Sequence, residues 1–236
     1  MSAAVTRLRV CGAFLVALTC LPTLAGCASH IPVSETTMFT RWRNGIRPAP
    51  VGVGAGVTTS VTGSEDVREA FEAGQPEGLY SSVDLANPQR RGGGMVVVVD
   101  DGLNAAAASV TFGLNVFGFD VTAPVWERVH GTASVSSGGF EAVVQRPIYD
   151  GRYAGFALGL GFRRERYTFA VCEASRDSCP FIPEFETFGV NVVGARAIAL
   201  MRPGDARGPL YGSASVGYAP AFDRLVVNVG VAVVYF

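Results

Sequence analysis

From about residue 49 onward, apolar side chains recur at every second position. Val51, Val53, Ala55 and Val57 alternate with Gly52, Gly54, Gly56 and Thr58. Val110, Phe112, Leu114 and Val116 alternate with Thr111, Gly113 and Asn115, and Phe156, Leu158, Leu160 and Phe162 with Gly155, Ala157, Gly159 and Gly161. The last stretch sets Leu225, Val227, Val229, Val231, Val233 and Tyr235 against Arg224, Val226, Asn228, Gly230, Ala232 and Val234. A period of two marks strands whose two faces meet different surroundings. Strands are expected near 49–62, 78–87, 93–100, 105–118, 128–137, 139–148, 152–171, 185–202, 208–219 and 223–236. One helix interrupts them. Ser64 can cap it, Glu65 and Asp66 suit its first turn, and Val67, Ala70 and Phe71 form a stripe before Gly74.

The residues opposite the apolar face decide the architecture. A water-soluble β-domain turns its apolar face inward and needs a charged or polar exterior. Here the second face is Gly, Ala, Ser, Thr and Asn, with charges nearly absent in mid-strand. A membrane barrel inverts the arrangement: Val, Leu and Phe face lipid while small residues fill a narrow lumen. The expected fold is therefore all-β, an antiparallel up-and-down transmembrane β-barrel of 8–10 strands over 49–236, with one short loop helix. Met95 to Val99 is apolar on both faces, as a buried sandwich strand would be, and so favours the soluble alternative. Counting strands back from a periplasmic C-terminus puts the helix and the charged 172–184 segment on the outer side. Trp126, Tyr149, Tyr153, Tyr167, Tyr218 and Tyr235 fall near strand ends, where aromatic girdles sit.

Composition agrees with the inverted reading. Charged residues make up 17% of the 236, against roughly 25% in soluble domains. The net charge of −1 offers no basic surface for nucleic acid. After the first 30 residues no apolar run approaches the ~18 residues that a spanning helix needs.

The first residues carry a different signal. Arg7 and Arg9 precede an apolar stretch from Val10 to Leu24, the length and polarity of a signal peptide. It ends in Leu24-Ala25-Gly26-Cys27, which resembles the lipobox of bacterial lipoproteins. The resemblance implies cleavage before Cys27, acylation of that cysteine, and passage through the lipoprotein-processing machinery. Domains then run 1–26 as signal peptide, 27–48 as lipidated tether and 49–236 as barrel. Residue 28 is Ala rather than Asp, which implies sorting to the outer membrane. In an oxidising exported compartment Cys172 and Cys179 are expected to form a disulfide across a polar loop. The end of the chain, with Gly230, Val233, Tyr235 and Phe236, resembles the assembly signal of outer-membrane barrels, although the alternation ends on Tyr235 and leaves Phe236 one step beyond.

Candidate chemistry is sparse. His130, with Ser134 and Ser136 on its face, is the one mature histidine outside the tether, and no third catalytic group accompanies it. Gly52-x-Gly54-x-Gly56 lacks the Lys and helix start of a phosphate loop. Asp100-Asp101-Gly102 reads as a hairpin turn rather than a calcium loop. Arg163, Arg164, Glu165 and Arg166 read as the solvated rim of a strand, with lipopolysaccharide phosphates as possible partners. No metal site, cofactor or small-molecule ligand is expected. The expected function is non-enzymatic: an outer-membrane barrel lipoprotein with a structural or surface-interaction role, whose partners are outer-membrane lipid and the assembly machinery. The alternatives are a lipid-anchored soluble β-barrel binding an apolar ligand, and a barrel enzyme acting on membrane lipid.

Overall fold

The computed structural model describes residues 30–39, 51–61, 64–85, 91–100, 106–114, 116–174, 184–201 and 210–235. Cys27, Cys179, Phe236 and the turn at Asp101-Gly102 lie outside them. The strands are β1 (Val51–Val61), β2 (Tyr80–Leu85), β3 (Arg91–Asp100), β4 (Ala107–Leu114), β5 (Val116–Trp126), β6 (Val129–Ser136), β7 (Gly139–Asp150), β8 (Ala154–Glu173), β9 (Glu184–Met201), β10 (Leu210–Ala219) and β11 (Arg224–Tyr235). Helix α1 (Ser64–Ala73) follows β1, and a 3-10 turn at Val33–Met38 precedes it.

Each strand except β2 pairs antiparallel with both neighbours, in the order β1-β3-β4-β5-β6-β7-β8-β9-β10-β11. Pairing of β11 with β1, from Val53↔Tyr235 to Val61↔Val227, closes the ring. A closed ring of ten strands leaves no long unpaired edge. Strand β2 stands outside it, against the projecting end of β8 from Phe169 to Glu173. We call the end that carries β2 and α1 the upper end, and the end where β1 begins and β11 stops the lower end.

The sequence expectation of a transmembrane-type barrel holds, with two corrections to its strands. The segment 105–118 is not one strand: β4 ends at Leu114 and β5 returns from Val116, with Gly113 opposite Val116. The alternation of Val110, Phe112, Leu114 and Val116 spans both strands, although Val116 is buried where Phe112 is exposed. The segment 78–87 forms a strand but not a stave of the barrel. These two differences offset each other, so ten staves remain, and β3 runs downward where a count back along the sequence has it rising.

Alternation sorts the faces as expected. Val57, Leu158 and Leu160 are exposed on the outside, Leu160 to 72%, while Gly56, Ala157 and Gly230 line the lumen. Trp126, Tyr149, Tyr153 and Tyr235 are exposed around the lower end, as in an interfacial girdle. Tyr167 departs from that expectation: it is 2% exposed and points into the upper mouth.

Helix α1 lies over that mouth. Its Val67 and Phe71 are buried with Tyr167, Phe169 and Val171 of β8 and Val190 of β9. The Phe71 ring stacks on Phe169 at 4.3 Å and meets Phe188 edge-on at 6.0 Å. Asp66 pairs with Arg224 at 3.3 Å. The barrel wall is uneven: Gly139, at the upper end of β7, sits opposite Glu165, beyond which β8 continues to Glu173. The helix covers the tall side, formed by β8 to β11.

Candidate functional site

The chemistry of this chain is concentrated in the barrel lumen, which the protein fills with its own residues 30–39. Ile31, Val33, Met38 and Phe39 are all at most 2% exposed. They form one cluster with Val96 and Val98 of β3, Ile198 and Leu200 of β9, and Val234 of β11. The lower lumen is therefore an apolar core. This explains why Met95–Val99 is apolar on both faces: Met95, Val97 and Val99 turn outward while Val96 and Val98 pack on the plug. Read above as part of a tether outside the barrel, residues 30–39 lie within it.

The wall is shaped for this occupant. A Cβ on Gly118 would stand 2.5 Å from the His30 ring, and one on Gly155 2.5 Å from the Phe39 ring. A Cβ on Gly56 would meet the Ile31 side chain at 3.0 Å. Lumen-facing glycine thus does more than narrow a pore: it leaves room for particular plug side chains. Gly118→Val is expected to destabilise the barrel by about 1–3 kcal/mol, because the added groups overlap His30. Urea unfolding followed by electrophoretic mobility checks this, with an unchanged midpoint as the contrary result.

Polar groups hold the plug in register. His30 Nε2 bonds the Asp120 carboxylate, which also accepts from the hydroxyls of Ser34 and Ser109 and, at 3.1 Å, from the Ser34 amide. The Ser34 hydroxyl shares a further bond with Thr122 at 2.7 Å. Lower in the lumen, Tyr211 donates to Glu35 at 2.5 Å. Arg196 Nη1 donates to Glu141 at 2.6 Å and lies 3.6 Å from Glu35. Glu35 and Arg196 are 0% and 5% exposed, so each charge depends on the other. Above the plug, Arg163 pairs with Glu165 at 2.7 Å and donates to Ser215 at 2.5 Å. Tyr167 and Asn228 also donate to Glu165, at 2.6 and 3.0 Å. Between these layers lies a polar cavity of about 40 Å³, bordered by His30, Ser134, Ser136 and Arg163. It has room for a few waters and not for a lipid or an organic substrate.

The sequence candidates fall as follows. His130 is buried at the lower end of β6 and faces the lumen with Ser134 and Ser136. Ser134 lies four residue steps along the strand, about 13 Å away, so the histidine and the hydroxyl do not meet. The buried His30, Asp120 and Ser34 resemble a catalytic set in composition only. Ser34 and Ser109 both donate to the aspartate, and among the described residues it is this carboxylate, not a serine hydroxyl, that the imidazole bonds. The run Arg163 to Arg166 divides by parity. Arg163 and Glu165 turn inward and form the buried pair just described, whereas Arg164 and Arg166 are exposed outside. The solvated-rim expectation thus fits only the even positions. Gly52, Gly54 and Gly56 lie within β1. Cys172 is buried near the upper end of β8. Of the expected assembly signal, Gly230 lines the lumen and Tyr235 is exposed outside. Among the described residues no group of three or more His, Cys, Asp or Glu side chains is arranged to hold a metal ion.

The plug ligands Glu35, Asp120, Glu141 and Arg196 were missed by sequence reasoning. Charges at inward positions of strands were a visible signal, since a lumen lined by small residues has no need of them. No protein-family model matches this chain, and no curated protein matches its sequence. Among solved structures it is similar to the crystal structure of Ail, the attachment invasion locus protein of Yersinia pestis. That match has 11% identity and a TM-score of 0.33, covering 78% of this chain and 95% of the other.

Proposed function

We propose that this chain is a non-enzymatic, self-plugged outer-membrane barrel lipoprotein with a structural or surface-interaction role. The observation that carries the reading is the exchange of faces. Apolar side chains such as Val57, Leu158 and Leu160 are exposed on the wall, while Asp120, Glu141 and Arg196 are inside it, bonded to the plug or to each other, and Arg163 is inside it bonded to Glu165. An exterior of this kind suits acyl chains. Among the described residues, the plug fills the lower half of the interior and α1 covers the tall side of the mouth, which leaves no through-path for solute.

Several parts of the reading rest on the sequence. Cys27 carries the lipid anchor, Cys172 and Cys179 staple the outer loop, and Gly230, Val233, Tyr235 and Phe236 form the assembly signal. Its partners are outer-membrane lipid and the lipoprotein-processing and barrel-assembly machineries. The lumen does not favour the apolar-ligand alternative, since its apolar half is already occupied by Ile31, Val33, Met38 and Phe39.

Reconstitution in a planar bilayer tests the sealed-barrel function. The purified protein is expected to insert without adding steady conductance. A sustained open-channel current from the unaltered chain would contradict the proposal and make the lumen a pathway.

A further inference from the structure

Resting on the lipoprotein reading above, we infer that the chain preceding His30 leaves the barrel by its upper, loop-bearing mouth, so that acyl chains on Cys27 belong to the outer leaflet. The direction of the plug carries this. His30 sits against Gly118 and Asp120, near the upper end of β5. Ile31 lies beside Gly56 of β1 and Gly230 of β11, and Ser34 reaches Thr122, lower on β5. Phe39 ends against Gly155, the second residue of β8 from its lower end. The plug thus descends the lumen from residue 30 to residue 39, and β1 then starts at the lower rim.

Covalent reach limits what precedes it. Two residues lie between Cys27 and His30, and the three residue steps span at most about 11 Å. Gly118 is two residues below Val116, the upper end of β5, and eight above Trp126, its lower end. Along a strand tilted by roughly 40°, eight residues descend about 20 Å. The upper rim is within reach of residue 27 and the lower rim is not. A return path downward is also blocked, because Ile31, Val33, Met38 and Phe39 pack without room for a second passage of chain. Above, the described residues cover one side of the mouth. Helix α1 covers β8 to β11, whereas His30 lies on the opposite side, beside Ser136, Gly138 and Gly139 at the short upper ends of β6 and β7.

The arrangement reverses the simplest topology for a lipidated barrel, in which the anchor sits at the periplasmic end beside the start of the first strand. Here the anchor and β1 are at opposite ends of the lumen, joined by the plug. The lipid then holds the upper end of the plug, and the ion pair of Glu35 with Arg196 holds its middle.

The test uses the full-length protein in intact cells. Single cysteines are introduced as Ser29→Cys, Ala221→Cys in the exposed upper turn before β11, and Arg128→Cys in the exposed lower turn before β6, and are probed with a membrane-impermeant maleimide. The parent chain is the blank, and Ala28→Cys replaces Ser29→Cys if that variant does not give the heat-shifted folded band. Palmitate incorporation is followed in parallel. The expected result is that position 29 labels in intact cells like Ala221→Cys, on a chain that incorporates palmitate. Labelling of position 29 only after permeabilisation, like Arg128→Cys, would overturn the inference and leave the lipoprotein reading standing. Labelling from outside without palmitate would overturn that reading, and with it the assignment of acyl chains to the outer leaflet.

Discussion

Leu158→Arg is expected to destabilise the membrane-inserted protein by about 2–4 kcal/mol, because it places a cation on the lipid-facing wall near its midplane. Leu158 is 44% exposed and projects outward between the inward-facing Ala157 and Gly159. If the barrel stood in water, the same residue would be a surface leucine, and its replacement by arginine would change stability by no more than about 0.5 kcal/mol. The two environments therefore predict different magnitudes for one substitution. The comparison uses urea-induced unfolding in lipid vesicles, followed by the fraction that keeps its heat-shifted mobility. A midpoint unchanged from the parent would place Leu158 in water.

The second large effect belongs to the lumen. Arg196→Ala is expected to cost about 3–5 kcal/mol, the penalty for removing one partner of a buried ion pair. Arg196 lies between Glu141 on β7 and Glu35 on the plug, so its loss leaves two carboxylates in the wall and core with no cation between them. Arg196→Met combined with Glu35→Gln and Glu141→Gln is expected to recover most of the loss, since no uncompensated charge then remains. If Arg196→Ala and the triple variant unfold at the same urea concentration, the destabilisation would be one of packing rather than charge. Arg163 and Glu165 form a second pair above, but Arg163 stands directly opposite Glu141 in the β7–β8 register, so its contribution is expected to couple with that of Arg196 rather than add to it.

Much of this architecture is legible in the chain because a barrel wall repeats one rule along every strand. The alternation of Leu158 and Leu160 with Gly159 and Gly161, and of Val229 and Val231 with Gly230 and Ala232, needs only local pattern to be read. The helix at 64–73 is legible for the same reason, since its acidic first turn and apolar stripe are contiguous. What escaped was long-range. The break between β4 and β5 lies inside an unbroken apolar alternation from Val110 to Val116. The strand at Tyr80–Leu85 has a strand's sequence, and only the extra length of β8 removes it from the ring.

The plug is the larger omission. Its bond from Tyr211 to Glu35 joins residues 176 apart, and that of Ser34 with Asp120 joins residues 86 apart. No periodicity carries such information. The chain holds separate signs of it: Met95 to Val99 apolar on both faces, and the charges Asp120, Glu141 and Arg196 at inward positions. Together they describe a lumen with an occupant, apolar below and hydrogen-bonding above. The segment 30–39, with Ile31, Val33, Met38 and Phe39 among Ser34 and Glu35, has the matching composition.

The central claim is a closed, lipid-embedded barrel, and membrane extraction followed by electrophoresis with and without boiling tests it most directly. The Cys27→Ala form is used beside the parent, so that retention by an acyl anchor is separated from retention by the barrel. The account predicts that both forms stay with the membrane through carbonate and urea washes and shift in mobility on boiling. Release of the Cys27→Ala form into the soluble fraction, with no shift, would contradict it and leave a soluble β-domain held only by its lipid.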